Sequence, residues 1–152
     1  MDLASPPLEI SKAQLESIFL AHQSAVTTAP APDRAQRSTH LKALQRLLRE
    51  NVSAIAAAIS TDFGHRSKHE TQMLELFPSL QAIKHALKHI KGWMKPQRAW
   101  AALWFMPART ELRYQPLGVI GIIVPWNYPI VLAVGPLVAA HSTAGLVLEH
   151  CT

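Results

Sequence analysis

A run of small and β-branched residues, Val119 to Val124, ends in Pro125-Trp126-Asn127-Tyr128-Pro129. Such a continuous run predicts a strand buried on both faces, as in a parallel sheet. Pro125–Tyr128 reads as the turn leaving its carboxyl end. Pro129 then opens a buried helix through Leu132, Leu137 and Val138. In open parallel sheets, ligand sites form just outside the carboxyl ends of strands, and Asn127 falls at such an end. Its side-chain amide donates two hydrogen bonds. A neutral donor fixed there stabilises a developing oxyanion without carrying a proton that can be lost. Asparagine is also a common turn residue, and the pattern by itself favours that plainer role.

Other residues with chemical potential are less organised. His85 and His89 stand four apart and share a helix face, as His65 and His69 would if helical. A pair at this spacing can hold zinc. The glutamate of an HExxH motif is missing, however, since Ala86 takes its place, and no third ligand is apparent. A solvated basic face is therefore expected, with no metal. Cys151 is the single cysteine, which excludes an internal disulfide framework and a multi-cysteine zinc site. The net charge of +5 raises nucleic acid as a partner. Seven Lys/Arg residues and one acid, Glu111, lie between Gln81 and Arg113, interleaved with Trp93, Trp100 and Trp104. Trp93 falls on the apolar side of a helix, where packing accounts for it, so a nucleic-acid-binding module is the lesser alternative.

The elements that must position Asn127 follow from periodicity. In 152 residues that are 49% hydrophobic, a packed core is affordable and wholesale disorder is excluded. Residues 1–10 read as a loose start. Ser11 is a candidate N-cap for a helix over Lys12–Val26 using Leu15, Ile18 and Phe19, and Thr27–Pro32 reads as a linker. Asp33 caps a long helix over Arg34–Ser60. There Leu41, Leu44, Leu48, Val52, Ile55 and Ile59 form the buried stripe, and Arg37, Lys42, Gln45, Arg46 and Arg49 form the solvent face. Asp62-Phe63-Gly64 makes a turn. A third helix is predicted over His69–Met94 on Met73, Phe77, Leu80, Ile83, Leu87, Ile90 and Met94, kinked at Pro78. Residues 96–110 read as an irregular aromatic arm packed over another surface, and Thr110–Gln115 as a strand.

Leu117–Ala140 holds 24 positions without a charge, long enough to span a bilayer. Pro125, Pro129 and Pro136, with Asn127 near the centre, would break such a helix where lipid offers no replacement hydrogen bonds. A strand, turn and buried helix explain the same residues, and a membrane-associated helical protein stays the alternative. Met1–Ile10 holds Asp2 and Glu9, no basic cluster and no apolar stretch of signal-peptide length. A cytoplasmic location is expected, and the lone cysteine is consistent with it.

The stretch Gln115-Pro-Leu-Gly-Val-Ile-Gly-Ile-Ile-Val-Pro-Trp-Asn-Tyr-Pro129 closely resembles the signature near the start of the cofactor domain in aldehyde dehydrogenases. Arg37–Glu50 resembles the N-terminal helix of that family. Asp62-Phe-Gly-His-Arg-Ser-Lys-His-Glu-Thr71 and Trp93-Met-Lys-Pro96 resemble the branch related to coniferyl aldehyde dehydrogenases. The resemblance covers about residues 34–140. It implies an α/β fold: N-terminal helices plus the beginning of a truncated dinucleotide-binding, Rossmann-like domain. The expected units are 1–33 (segment and linker), 34–109 (helical), 110–140 (oligomerisation-type strand and first strand–turn–helix) and 141–152 (divergent tail). The resemblance also implies NAD(P)-dependent oxidation of an aldehyde to a carboxylic acid. In the family a cysteine thiolate attacks the carbonyl, hydride passes to the nicotinamide, and a glutamate base helps water release the acid. Asn127 matches the oxyanion-hole asparagine. Ile123, Val124, Pro125 and Trp126 match positions lining the cofactor site. Thr110–Gln115 matches a strand of the oligomerisation element, so a homo-oligomer is expected of intact members, with no nucleic acid or membrane partner.

The resemblance also sets an expectation for what departs from it. The family continues with a Gly-Asn turn, a short strand and a Lys-Pro pair whose lysine binds the cofactor ribose. This chain reads His141-Ser-Thr-Ala-Gly-Leu-Val-Leu-Glu-His-Cys-Thr152, with Gly145 near the expected glycine and no lysine after it. That reads as a frameshift or truncated reading frame after Ala140. Cys151 has none of the sequence context of the catalytic cysteine and reads as incidental. The expected consequences are a chain inactive by itself, and a single parallel strand without neighbours that folds poorly.

Overall fold

The computed structural model describes residues 11–29, 31–100, 102–116, 118–143 and 147–151. The loose start at 1–10 and the glycine at 145 lie outside these. Helix α1 (Lys12–Thr28) opens on a capping box. Ser11 Oγ accepts from the Gln14 amide at 3.3 Å, and Gln14 Oε1 accepts from the Ser11 amide at 2.8 Å. Asp33 and Gln36 repeat the device at the start of α2 (Arg34–Glu50), at 2.8 and 2.9 Å. The expected single helix over Arg34–Ser60 is broken at Asn51, which separates α2 from α3 (Val52–Asp62). Asn51 has φ −112° and ψ 15°, and its side chain donates to the Leu47 carbonyl at 2.8 Å, competing with the helical ladder. The apolar stripe survives the break, with Leu41, Leu48 and Ile59 buried.

Arg37 does not lie on the solvent face that periodicity gives it. It is buried, its Nε donates to the Pro32 carbonyl at 2.8 Å, and its Nη1 donates to the His141 carbonyl at 3.3 Å. The rings of His40 and His141 meet edge-on, 5.6 Å apart. Burial pushes the His141 imidazole below its ordinary pKa, and His40 and Arg37 push it further the same way. A lowered folded-state pKa means that the unfolded chain binds the proton first as pH falls. Stability is therefore expected to fall from about pH 6.5, the free imidazole value, downward through the folded-state value. Urea midpoints measured from about pH 7.5 to about pH 5.5 check this, and His141→Asn should flatten the slope.

Helix α4 (Lys68–Thr71), a π turn (Gln72–Leu76) and α5 (Phe77–Trp93) follow one another directly. Pro78 was expected to kink a regular helix. Instead it sits in the first turn of α5, just after the π turn, in which the Phe77 amide donates to the Gln72 carbonyl. Met73 and Phe77, expected on the buried stripe, are 65% and 54% exposed, whereas Glu75 and Leu76 are buried. Beyond Pro78 the expected stripe holds at Ile83 and Ile90, while Met94 is exposed. The core joins α2, the π turn, α5 and the later α6 through Leu41, Leu48, Leu76, Ile83, Ala86, Ile90, Val134 and Val138.

Strands β1 (Gln97–Ala99) and β2 (Thr110–Leu112) pair antiparallel, Arg98 opposite Glu111. The intervening arm includes a 3-10 turn (Leu103–Phe105), and its described aromatic side chains are exposed rather than packed over another surface. Trp100 and Trp104 are 86% and 89% exposed. Strand β3 (Ile120–Val124) leads to α6 (Pro129–Thr143), opened by Pro129 as expected. β3 is buried on one face rather than both: Ile122 and Val124 are covered, while Gly121 and Ile123 are exposed. In α6, Val134 and Val138 are buried and Leu132 is exposed. Nor is β3 alone, because β4 (Val147–Cys151) runs parallel to it, with Ile120 opposite Val147 and Val124 opposite Cys151. The result is a β–α–β unit. Among the described residues no helix is long and apolar enough to cross a membrane. The uncharged block is divided into strand, turn and helix.

Candidate functional site

The site is the turn at the carboxyl end of β3. Pro125 has no N–H with which to extend the ladder. The Tyr128 carbonyl accepts from the Leu132 amide at 3.2 Å, so Tyr128 is the cap of α6 and Pro129 its first residue. The five positions singled out from sequence are brought together here by chain continuity, but they face different surroundings. Val124 is buried against the core side of the strand, whereas Ile123, Pro125, Trp126 and Asn127 are exposed. The Trp126 ring lies 5.8 Å from that of Phe63, and a cleft lined by Ile59, Asp62, Phe63, Trp126 and Pro129 runs beside the turn.

The turn is held from behind by the segment that follows α3. Gly64 and His65 both have positive φ, 62° and 81°, and reverse the chain. Glycine adopts that region freely, and histidine is among the few other residues that enter it with any frequency. The reversal delivers Arg66, whose side chain is only 7% exposed. Arg66 Nη1 donates to the Asn127 carbonyl at 2.9 Å and lies 3.2 Å from Glu75 Oε1. Nη2 lies 3.3 Å from Glu70 Oε1. The guanidinium sits over the Tyr128 ring at 4.5 Å and the Phe63 ring at 5.1 Å, within cation–π range. Glu75 is fully buried, and its Oε2 accepts from the Ile130 amide at 2.7 Å. The Tyr128 hydroxyl makes a long contact of 3.5 Å to Glu70. Asn127 is thus held by its main chain, and its side-chain amide has no hydrogen-bond partner among the described residues.

Sequence reading missed Arg66 and Glu75 as parts of this site. One signal was present: Glu75 is a lone acid between the apolar Leu74 and Leu76, three residues before a proline. The histidine pair lies elsewhere. His85 and His89 stack at 4.1 Å, Trp93 lies 5.7 and 5.8 Å from them, and His89 Nδ1 is 2.8 Å from the His85 carbonyl. No group of three metal-capable side chains occurs among the described residues. Cys151 lies in β4, opposite Val124 in register.

Comparison with known proteins extends the picture. The chain is 46% identical over 135 residues to a probable coniferyl aldehyde dehydrogenase of Pseudomonas aeruginosa, covering 89% of this chain and 28% of that protein. It is 45% identical over 91 residues to the coniferyl aldehyde dehydrogenase of a Pseudomonas species, covering 60% and 18%. The chain therefore spans between 18% and 28% of the length of these relatives. The solved structure of Staphylococcus aureus AldH in its substrate-bound state superposes with a TM-score of 0.83 at 28% identity, covering 89% of this chain and 29% of that one. The match to the family model of aldehyde dehydrogenases runs over residues 5–148. Similarity thus continues past Ala140 and into β4, where the pattern was expected to be lost. With the strand, turn and helix formed at the place the signature requires, and the family model matching nearly the whole length, the chain belongs to the aldehyde dehydrogenase family.

Proposed function

We propose that this chain carries the oxyanion-binding turn and the first β–α–β unit for NAD(P)-dependent oxidation of an aldehyde to a carboxylic acid. The observation that carries the reading is Asn127 at the carboxyl end of β3, anchored through its carbonyl while its side-chain amide stays outside the network. As a nucleophile adds to an aldehyde, the carbonyl oxygen gains charge. The Asn127 amide donates to that oxygen, and being neutral it keeps its protons throughout. Ile123 and Trp126, 83% and 74% exposed, offer apolar surface that fits a flat nicotinamide or adenine ring, with Val124 and Pro125 shaping the strand end beneath. NAD(P), when bound, supplies the hydride acceptor. Cys151 is not assigned the nucleophile's role, and the chain by itself is expected to show no turnover. The exposed side chains of Trp100, Trp104, Phe105 and Met106 and the β1–β2 pair fit a contact with a second copy of the protein. A cytoplasmic location fits the use of a single cysteine.

Grafting residues 5–148 in place of the matching part of the Pseudomonas aeruginosa relative tests the reading. Aldehyde-dependent NAD(P)H formation by the graft is expected, and none by the chain alone. A folded graft without turnover removes the proposal.

A further inference from the structure

We propose that Glu75 and Arg66 are positioning residues that fix the Asn127 turn. That the fixed residue is an oxyanion donor rests on the function proposed above; that the turn is fixed from behind does not.

A fully buried carboxylate is costly unless charge and hydrogen bonds compensate it. Glu75 uses its two oxygens on two different elements. Oε2 takes the Ile130 N–H, one of the amides that the first turn of α6 leaves unpaired, at the helix end that favours negative charge. Oε1 faces Arg66, and Arg66 donates onward to the Asn127 carbonyl. Residues 127 and 130 are therefore both tied to one carboxylate, the first through Arg66 and the second directly. Between them, the Tyr128 ring lies under the guanidinium and Pro129 has its φ fixed by its own ring. Few degrees of freedom remain over these four residues.

The helix register explains how Glu75 comes to be there. One residue of an α-helix subtends about 100°. Counting back from Ile83 by that angle places Ser79 and Glu75, four and eight residues earlier, within about 80° of it on the face that Ala86 and Ile90 continue, and Phe77 about 120° away on the other side. Glu75 thus belongs to the inward face by its spacing from Ser79 and Ile83, which are buried with it.

The test is an amide NMR experiment on the full chain, with Glu75→Gln and Arg66→Lys beside it. Glutamine keeps an oxygen for the Ile130 N–H but loses the charge that holds Arg66. Lysine keeps the charge but loses the fork that reaches Glu75, Glu70 and Asn127 together. In the wild type, the Ile130 amide is expected to exchange slowly, and Asn127 to show a backbone order parameter near the rigid value of about 0.85. In both variants the Asn127 value falls toward about 0.6, while Ile83 and Ile90 keep theirs. Ile130 protection stays within about tenfold of wild type. If Glu75→Gln does not fold, Arg66→Lys carries the same comparison. An Asn127 order parameter unchanged in the variants, or a wild-type Ile130 amide that exchanges freely, overturns the proposal. No activity is read, so a clamped turn in a graft without turnover would keep the positioning role and remove the oxidation reading.

Discussion

Glu75→Ala is expected to lower the unfolding free energy by about 3–5 kcal/mol, the range for breaking a buried ion pair by removing one partner. The substitution strands three groups. The Arg66 guanidinium loses its fully buried counter-charge, the Ile130 N–H loses its acceptor, and the space of the carboxylate is left empty beside Leu76. Arg66 retains Glu70 at 3.3 Å, but that carboxylate is 41% exposed and a weaker partner. A urea titration at neutral pH reads the loss as a lower midpoint at unchanged slope. Arg66→Met in the same background should recover part of it, because the unpaired charge is then gone too. A loss below about 1 kcal/mol would mean that Glu75 is not the buried hub described above.

Much of what positions the turn was legible because it is local. Ser11 and Asp33 were readable as caps, since each needs only a partner three residues on. Val119–Pro129 was readable as strand, turn and helix, because β-branched residues followed by paired prolines leave few alternatives. The contacts that hold the turn were not legible. Arg66 and Asn127 are 61 residues apart, Glu75 and Ile130 are 55 apart, and no periodicity links them. The π turn was invisible for a related reason. A one-residue insertion leaves no mark in composition. Arg37 falls on the solvent face by helical periodicity, yet it is buried, donating to the nearby Pro32 carbonyl and to that of His141, 104 residues away. β1 shows no alternation of its own and exists by pairing with β2. β4, mixed in character as Val-Leu-Glu-His-Cys, exists by pairing with β3. That pairing removes the physical reason for treating β3 as a strand without neighbours.

Asn127→Ala carries the largest expected effect on chemistry. Removing one preorganised donor to a developing oxyanion costs about 10²–10³ in kcat. The main-chain anchors of this turn do not involve the Asn127 side chain: Arg66 binds the carbonyl, and Glu75 binds the Ile130 amide. The alanine variant should therefore keep the turn, the β3–β4 ladder and the apolar surface of Ile123 and Trp126. Binding of aldehyde and cofactor in the ground state should change little, so KM should stay within a few-fold while kcat falls. The decisive measurement is steady-state aldehyde oxidation by the Pseudomonas aeruginosa graft carrying residues 5–148 of this chain, with and without Asn127→Ala. A kcat lower by about 10²–10³ at near-constant KM is the predicted result. A kcat equal to that of the unsubstituted graft would contradict the assignment of Asn127 as the oxyanion donor.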